Sequence, residues 1–244
     1  MSMLTLVLVH GALLTSSAWM PVQNYLQNHG YNVVTLDVPG RAEDDVPAKA
    51  VSLEMSADKV CSVVNLQKDQ VILVGHSQGG AVITLAANQC GAHIAGLVYI
   101  AAVVPANGEK VFDLLSNQDA DNFEKVAKLD ADAGVYQINY RGPIKAMFMA
   151  DANSAQAQRA INNLVPEPAR IGDDTLQYDS AAFAKIPKFY IKTSEDKIIS
   201  PETQDKYISR TAFKQIIIMK SSHSPFVSQP KILGQYLADI YDSF

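Results

Sequence analysis

LVGHSQGG, residues 73–80, sets a serine between a histidine and a pair of glycines, where an apolar stretch ends and a helical one begins. Gly75-His76-Ser77-Gln78-Gly79 fits the pattern G-x-S-x-G, whose chemistry requires a buried strand before it and a helix after it. Both flanks meet that requirement: QVILV (70–74) reads as a buried strand and the stretch 78–90 as a helix. The turn that presents such a serine is strained, and neighbouring chains approach it closely. Side chains two before and two after the serine would collide with them, so glycines stand at 75 and 79. Gly80 and Ala81 then let the new helix pack onto the sheet. A tight turn would call for small residues on its own account, so Ser77 gains meaning only from partners elsewhere in the chain.

Outward from this turn, TLVLV (5–9), NVVTL (32–36), AGLVYIAAVV (95–104), KFYIKT (188–193) and KQIIIM (214–219) are mostly continuous apolar runs. Strands covered on both faces of a parallel sheet read this way. Helix-like stretches at 18–29, 52–66, 78–90 and 226–241 alternate with them, which predicts an α/β fold with a mostly parallel central sheet and helices on both faces. From 105 to 185 the strand signal fades into Ala/Asp/Asn-rich helical segments and a Pro-punctuated loop, VPEPARIGDD. A mainly helical cap subdomain over 105–185 is expected, inserted in a core made of 1–104 and 186–244. No Gly/Ser linker isolates it.

Composition narrows the function classes. The 244 residues are 48% hydrophobic and 18% charged, enough apolar material for a sizeable core. Mean hydropathy near zero argues against both a disordered and a membrane-embedded chain. No apolar run approaches the roughly 18–20 residues of a membrane span. A net charge of −5 without a Lys/Arg cluster gives no support to nucleic-acid or anionic-membrane partners. The opening MSMLTLVLVHGALL lacks a basic leader and a cleavage site, and reads as a first strand. Cys61 and Cys90 lie far apart in helical patterns and read as free buried thiols, with a disulfide or metal pair as the alternative. A soluble cytoplasmic protein is the resulting expectation.

A serine hydroxyl is a poor nucleophile at neutral pH and needs a base within hydrogen-bond reach. In sites of this strand–turn–helix kind the chain order is serine, acid, histidine. His223, in MKSSHSPF behind the last strand, is the only histidine after residue 93. The acid that orients the imidazole is expected in IKTSEDKIISP: Asp196 is preferred, because a short carboxylate two or three residues past a strand is the usual solution, and Glu195 is the fallback. Two backbone N–H groups must hold a developing oxyanion. Gln78, after the serine, supplies one, and Ala12, in VHGALL after the first strand, the other. His10 and His76 read as structural members of tight turns, and His29 and His93 as surface or capping residues. No histidine pair has helical metal-ligand spacing, so no metal is expected.

With HGA after strand one, LDVPGRAED, GHSQGG, SEDKIIS and SSHSP, the chain resembles an α/β-hydrolase from end to end. Within that superfamily it is similar to the cap-bearing group of plant methyl-ester hydrolases of the salicylic acid-binding protein type, hydroxynitrile lyases and their bacterial relatives. FMADANSAQAQRAINNLVPEPARI is similar to the cap segment of the bacterial members. The resemblance implies Ser77, Asp196 and His223 as a catalytic triad, Ala12 and Gln78 as oxyanion donors, and no cofactor. The lyase members carry a lysine directly after the catalytic histidine; Ser224 stands there in this chain, which favours hydrolysis over lyase chemistry. LLTSSA, between HGA and Trp19, is longer than the plant enzymes show and borders the oxyanion loop.

The expected activity is a serine esterase acting on small to medium, largely uncharged carboxylic esters through an acyl-enzyme. Phe112, Leu114, Leu115, Met147, Phe148 and Met149 are candidates for an apolar pocket, although such spacing more often reflects plain packing than substrate contact. Arg41 and Arg141 read as solvated. Lyase or other non-hydrolytic use of the triad, amide or lactone hydrolysis, and a ligand-binding receptor built on the same fold remain as alternatives, with turnover against stoichiometric binding as the discriminator. The partner expected is a small-molecule ester, with monomer and homodimer both open.

Overall fold

Six of the apolar runs form one sheet. β1 (Thr5–Val9), β2 (Asn32–Leu36), β3 (Val71–His76), β4 (Ile94–Ile100), β8 (Lys188–Thr193) and β9 (Gln215–Met219) lie in the order β2-β1-β3-β4-β8-β9. Every pairing in that sheet is parallel. The computed structural model describes residues 4–41 and 44–244; the first three residues and positions 42 and 43 of LDVPGRAED lie outside the described residues.

Alternation along the strands explains why the runs are apolar throughout. Leu6, Leu8, Ile72 and Val74 point to one side, where they meet Val22 and Leu26 of α1 (Met20–Asn28) and Leu233 and Leu237 of α11 (Pro230–Tyr241). Val7, Val9, Val71 and Leu73 point to the other, against α2 (Leu53–Val64) and α3 (Gly79–Gln89). Burying each such side chain contributes roughly 1.5–3 kcal/mol, and the central strands collect that contribution on both faces. Ser52 caps α2 by accepting the Met55 N–H at 3.2 Å. Among the described residues no helix is long and apolar enough to cross a membrane.

The two cysteines correct the reading of free thiols. Cys61 of α2 and Cys90 at the C-terminal end of α3 form a disulfide. Packing α2 along α3 brings their Cα atoms to 5.7 Å, inside the distance a disulfide spans; a separation of 29 residues along the chain carried no hint of it.

Between β4 and β8 the chain leaves the sheet and builds a cap from α4 (Asn117–Glu124), β5 (Ala127–Asp130), β6 (Val135–Ile138), α5 (Ile144–Phe148), α6 (Ser154–Asn162), β7 (Glu167–Pro168), α7 (Arg170–Asp173) and α8 (Ser180–Lys185). Helices dominate it, but β5, β6 and β7 form a small antiparallel sheet. Strands of four, four and two residues are too short to show a period, which is why no strand is legible there. The remaining elements, α9 (Pro201–Arg210) and α10 (Pro225–Ser228), follow β8 and β9 and return the chain to the sheet.

Candidate active site

Parallel strands deliver their following loops to one edge of a sheet, and four of those loops meet at Ser77. The serine follows β3 with φ +53, in the left-handed region that side chains rarely adopt. Its amide donates to the Ile100 carbonyl at 3.2 Å, and its carbonyl accepts the Gly80 and Val103 N–H groups at 3.0 and 3.2 Å. The close approach read from the glycines is present: a Cβ on Gly75 would stand 2.6 Å from the Gly79 carbonyl oxygen, and one on Gly79 2.8 Å from those of Val9 and His10.

Asp196 lies three residues past β8 and His223 four past β9. The His223 Nδ1–H donates to Asp196 Oδ2 at 2.7 Å, and both side chains are buried. Every lone pair of that carboxylate is engaged. Oδ1 accepts the Ile198 and Ile199 N–H groups at 2.8 and 3.0 Å, and Oδ2 also accepts the Thr193 hydroxyl at 3.0 Å. Glu195 points the other way, 3.8 Å from the exposed Lys220 ammonium. Among the described residues no hydrogen bond joins Ser77 Oγ to His223; such contacts are commonly loose without substrate.

Ala12 and Gln78 flank the serine on the cavity wall, and neither backbone N–H has a partner among the described residues. Leu13, next to Ala12, is also left-handed, with φ +64. A buried cap carboxylate, Glu167 of β7, ties these loops together. Its Oε2 accepts the Leu13 N–H at 2.8 Å and Arg41 Nη2 at 2.8 Å, while Oε1 accepts Gln78 Nε2 at 2.7 Å. Arg41 Nε also donates to the Leu14 carbonyl at 2.8 Å. Arg41 is therefore not the solvated residue expected from sequence: it is buried in an ion pair with Glu167. Arg141 is exposed.

The two other buried histidines are neutral. His10 donates from Nδ1 to the Gly11 carbonyl at 2.9 Å and accepts the Val38 N–H at Nε2, 3.3 Å away. Burial, aided by the nearby Arg41 charge, pushes its pKa down to about 3. His76 donates from Nε2 to the His223 carbonyl at 2.8 Å and packs edge-on against Phe226. Burial first, and the neighbouring His223 second, hold it well below the usual imidazole value. His76 thus packs beneath the turn and supports the backbone of His223.

Two further cap carboxylates grip the loops behind Asp196 and ahead of His223. Asp119, buried in the capping box of α4, accepts Ser200 N–H and Oγ–H at 3.2 Å each and the Thr203 hydroxyl at 2.5 Å. Asp151 accepts the Ser221 hydroxyl at 3.1 Å, the Ser222 N–H at 3.3 Å, the Ser222 hydroxyl, and Gln229 Nε2 at 2.9 Å. Sequence reading missed Glu167, Asp119 and Asp151. Only Asp119 carries a local signal, the Ser116-x-x-Asp119 capping pattern, and that pattern marks a helix start without revealing the bond to Ser200.

Ser77 opens into a cavity of about 320 Å³, at the lower end of the usual ligand-pocket range of about 300–1,000 Å³. Phe112, Leu115, Phe123, Phe148, Ile198 and Ile199 supply its apolar walls, with Glu124 and Asp173 also lining it and no Lys or Arg among the described residues. Phe112, Leu115 and Phe148 line the cavity as anticipated, whereas Leu114 and Met147 pack into the core and Met149 lines a smaller neighbouring cavity.

Residues 6–233 match the model of the alpha/beta hydrolase family, and the chain belongs to that family. Methylesterase 17 of Arabidopsis thaliana is 27% identical over 250 residues, an alignment covering 93% of this chain and 87% of that protein. Among solved structures, a pyrethroid hydrolase from Sphingobium faniae superposes with a TM-score of 0.88 at 22% identity, covering 99% of this chain and 98% of the other. An extracellular alpha/beta-hydrolase from a Paenibacillus species, described as sharing structural and functional homology with tobacco salicylic acid binding protein 2, has a TM-score of 0.83 at 26% identity, covering 97% and 98%.

Proposed function

We propose that this protein is a serine hydrolase that cleaves small to medium, largely uncharged carboxylic esters through an acyl-enzyme. The observation that carries the reading is the buried His223–Asp196 pair at 2.7 Å, taken together with a left-handed Ser77 at the wall of a largely apolar cavity. Relatives named as a methylesterase and a pyrethroid hydrolase support it.

In this mechanism His223 Nε2 takes the Ser77 proton as Oγ attacks the ester carbonyl carbon. The amides of Ala12 and Gln78 hold the tetrahedral oxyanion, and Asp196 stabilises the imidazolium and fixes its tautomer. Collapse breaks the bond to the alkoxy oxygen, which leaves as the alcohol with the proton from His223. Water, deprotonated by His223, then attacks the acyl-enzyme; collapse returns the proton to Ser77 and releases the acid.

The core and cap divide, on this proposal, at 1–104 with 186–244 and at 105–185, the cap supplying the acyl or alcohol pocket. The disulfide favours an oxidising compartment, in place of the cytoplasm that free thiols would suit. A cavity lined by Glu124 and Asp173 and, among the described residues, by no cation disfavours substrates bearing a free carboxylate.

Steady-state and single-turnover hydrolysis of p-nitrophenyl esters from acetate to octanoate tests the reading. A burst followed by turnover is expected in the wild type. Ser77→Ala should lose on the order of 10⁵–10⁶-fold in kcat, as removal of a triad nucleophile does. A methyl ester should be cleaved at least about tenfold faster than its analogue carrying a terminal carboxylate, since like charges repel in a low-dielectric cavity. Undiminished turnover by Ser77→Ala would refute the assignment.

A further inference from the structure

We infer that Glu167, a cap residue, is a positioning residue that sets the geometry of the oxyanion hole. The inference rests on the serine-esterase reading and adds to it a residue with no place in the triad. Both proposed donors belong to loops that the Glu167 carboxylate holds. Oε2 accepts the N–H of Leu13, the neighbour of Ala12, and Oε1 accepts the side-chain amide of Gln78, whose own backbone N–H is the second donor. One rigid carboxylate thus fixes the separation between two amides that come from different strands.

Three observations make this more than a packing contact. Leu13 is held at φ +64, a conformation that persists only where surrounding bonds over-determine it. Those bonds come from the cap: Glu167 takes its N–H, and the Val165 N–H donates to its carbonyl at 3.0 Å. Secondly, Glu167 and Gln78 line the same cavity as Ser77, so the carboxylate stands where an uncompensated negative charge would oppose a developing oxyanion. Arg41, at 2.8 Å and itself buried, cancels that charge. Thirdly, the pair is out of solvent, where loss of one partner leaves the others unsatisfied. The arrangement therefore keeps the positioning power of a three-way acceptor without its charge.

The consequence is specific to the tetrahedral state. Ground-state ester binding uses the apolar walls, whereas convergence of the two amides matters only once the carbonyl oxygen carries charge. A displacement of about 1 Å in such a contact costs on the order of 100-fold. Glu167→Ala removes all three acceptor contacts. Glu167→Gln keeps one acceptor oxygen for Leu13 and Arg41, and the Gln78 amide can turn to accept from the new NH₂.

The test measures kcat and KM for p-nitrophenyl acetate, and the inhibition constant of an aliphatic trifluoromethyl ketone, which forms a hemiketal oxyanion on the serine. Active sites are counted by labelling Ser77 with a fluorophosphonate, so that unfolded protein does not enter the rates. Glu167→Ala is expected to lose about 10- to 100-fold in kcat with KM within about threefold, and the ketone to weaken by the same factor. Glu167→Gln should lose a smaller share of both, and it carries the comparison alone if the alanine variant does not fold. Ketone affinity unchanged within about threefold in the variants, with wild type labelled at Ser77, would overturn the role of Glu167 and leave the esterase reading standing. Failure of the wild type to label at Ser77 would overturn both.

Discussion

At Ser77 the backbone holds a residue with a Cβ at φ +53, and the cost of that conformation is of order 1–3 kcal/mol. The flanking glycines allow it by letting the Gly79 carbonyl come within 2.6 Å of where a Cβ on Gly75 would lie. The strain has a function only if the hydroxyl must be offered at the edge of the sheet. Two substitutions separate strain from chemistry. Ser77→Ala removes the proposed nucleophile and keeps the strained Cβ, so its stability should match the wild type. Ser77→Gly also removes the hydroxyl and should gain about 1 kcal/mol, read as a raised urea midpoint with an unchanged slope. Equal stabilities for the two variants would mean that the turn is relaxed by its surroundings and stores nothing.

Among the elements, the cap is tied to the loops that carry the proposed site. Glu167 holds the loops of Leu13 and Gln78, Asp119 the loop behind Asp196, and Asp151 the loop ahead of His223. A lid hinged to swing away would have to break all three sets of bonds. Burial ranks them. Asp119 is 1% exposed, so Asp119→Ala strands Ser200 N–H, its hydroxyl and that of Thr203 in the interior, at about 3 kcal/mol. Asp151 is exposed at the surface, where water can replace the lost acceptor, so Asp151→Ala should cost about 1 kcal/mol. Both should lower kcat more than they raise KM, because each loosens a loop carrying a member of the proposed triad. Urea unfolding beside steady-state kinetics checks the order; a larger stability loss for Asp151→Ala would mean that the His223 loop depends on the cap for its fold. For Asp151 the partial burial of its carboxyl alone would raise the pKa, but donors from Ser222, Gln229 and Ser228 outweigh it and the net shift is downward. A depressed carboxylate contributes stability above its unfolded value of about 3.8 and loses it as pH falls through the folded one. Near neutral pH this tie is therefore intact.

For the whole molecule, what the sequence disclosed follows the range of the interaction concerned. TLVLV and QVILV announce buried parallel strands because burial on both faces imprints every residue, and the Ser77 turn is legible because its steric demands fall within five consecutive positions. Glu167 and Arg41, 126 residues apart, meet only because the cap folds back over the β1 and β2 loops, and neither leaves a local trace. Cys61 and Cys90 are equally silent until α2 lies along α3. The fold also buries two histidines as neutral rings, and this sets its response to acid. His10 is pushed down to about 3, and His76 well below its ordinary value of 6.5. Depressed pKa values make the sign definite: the contribution is fully present above about 6.5 and is lost as the pH falls toward the folded values, because the unfolded chain binds protons that the folded one refuses. Each histidine approaches a slope of about 1.4 kcal/mol per pH unit. From about pH 7 to about pH 5 the unfolding free energy should fall by about 2 kcal/mol through His10, and His76 adds to the fall in the same direction. His10→Asn keeps a donor and an acceptor in the turn while removing one titration, so it should lessen that fall by about 2 kcal/mol. Urea unfolding across this range, wild type beside the variant, is the measurement; a flat profile in the wild type would mean that the folded protein accommodates both imidazolium charges.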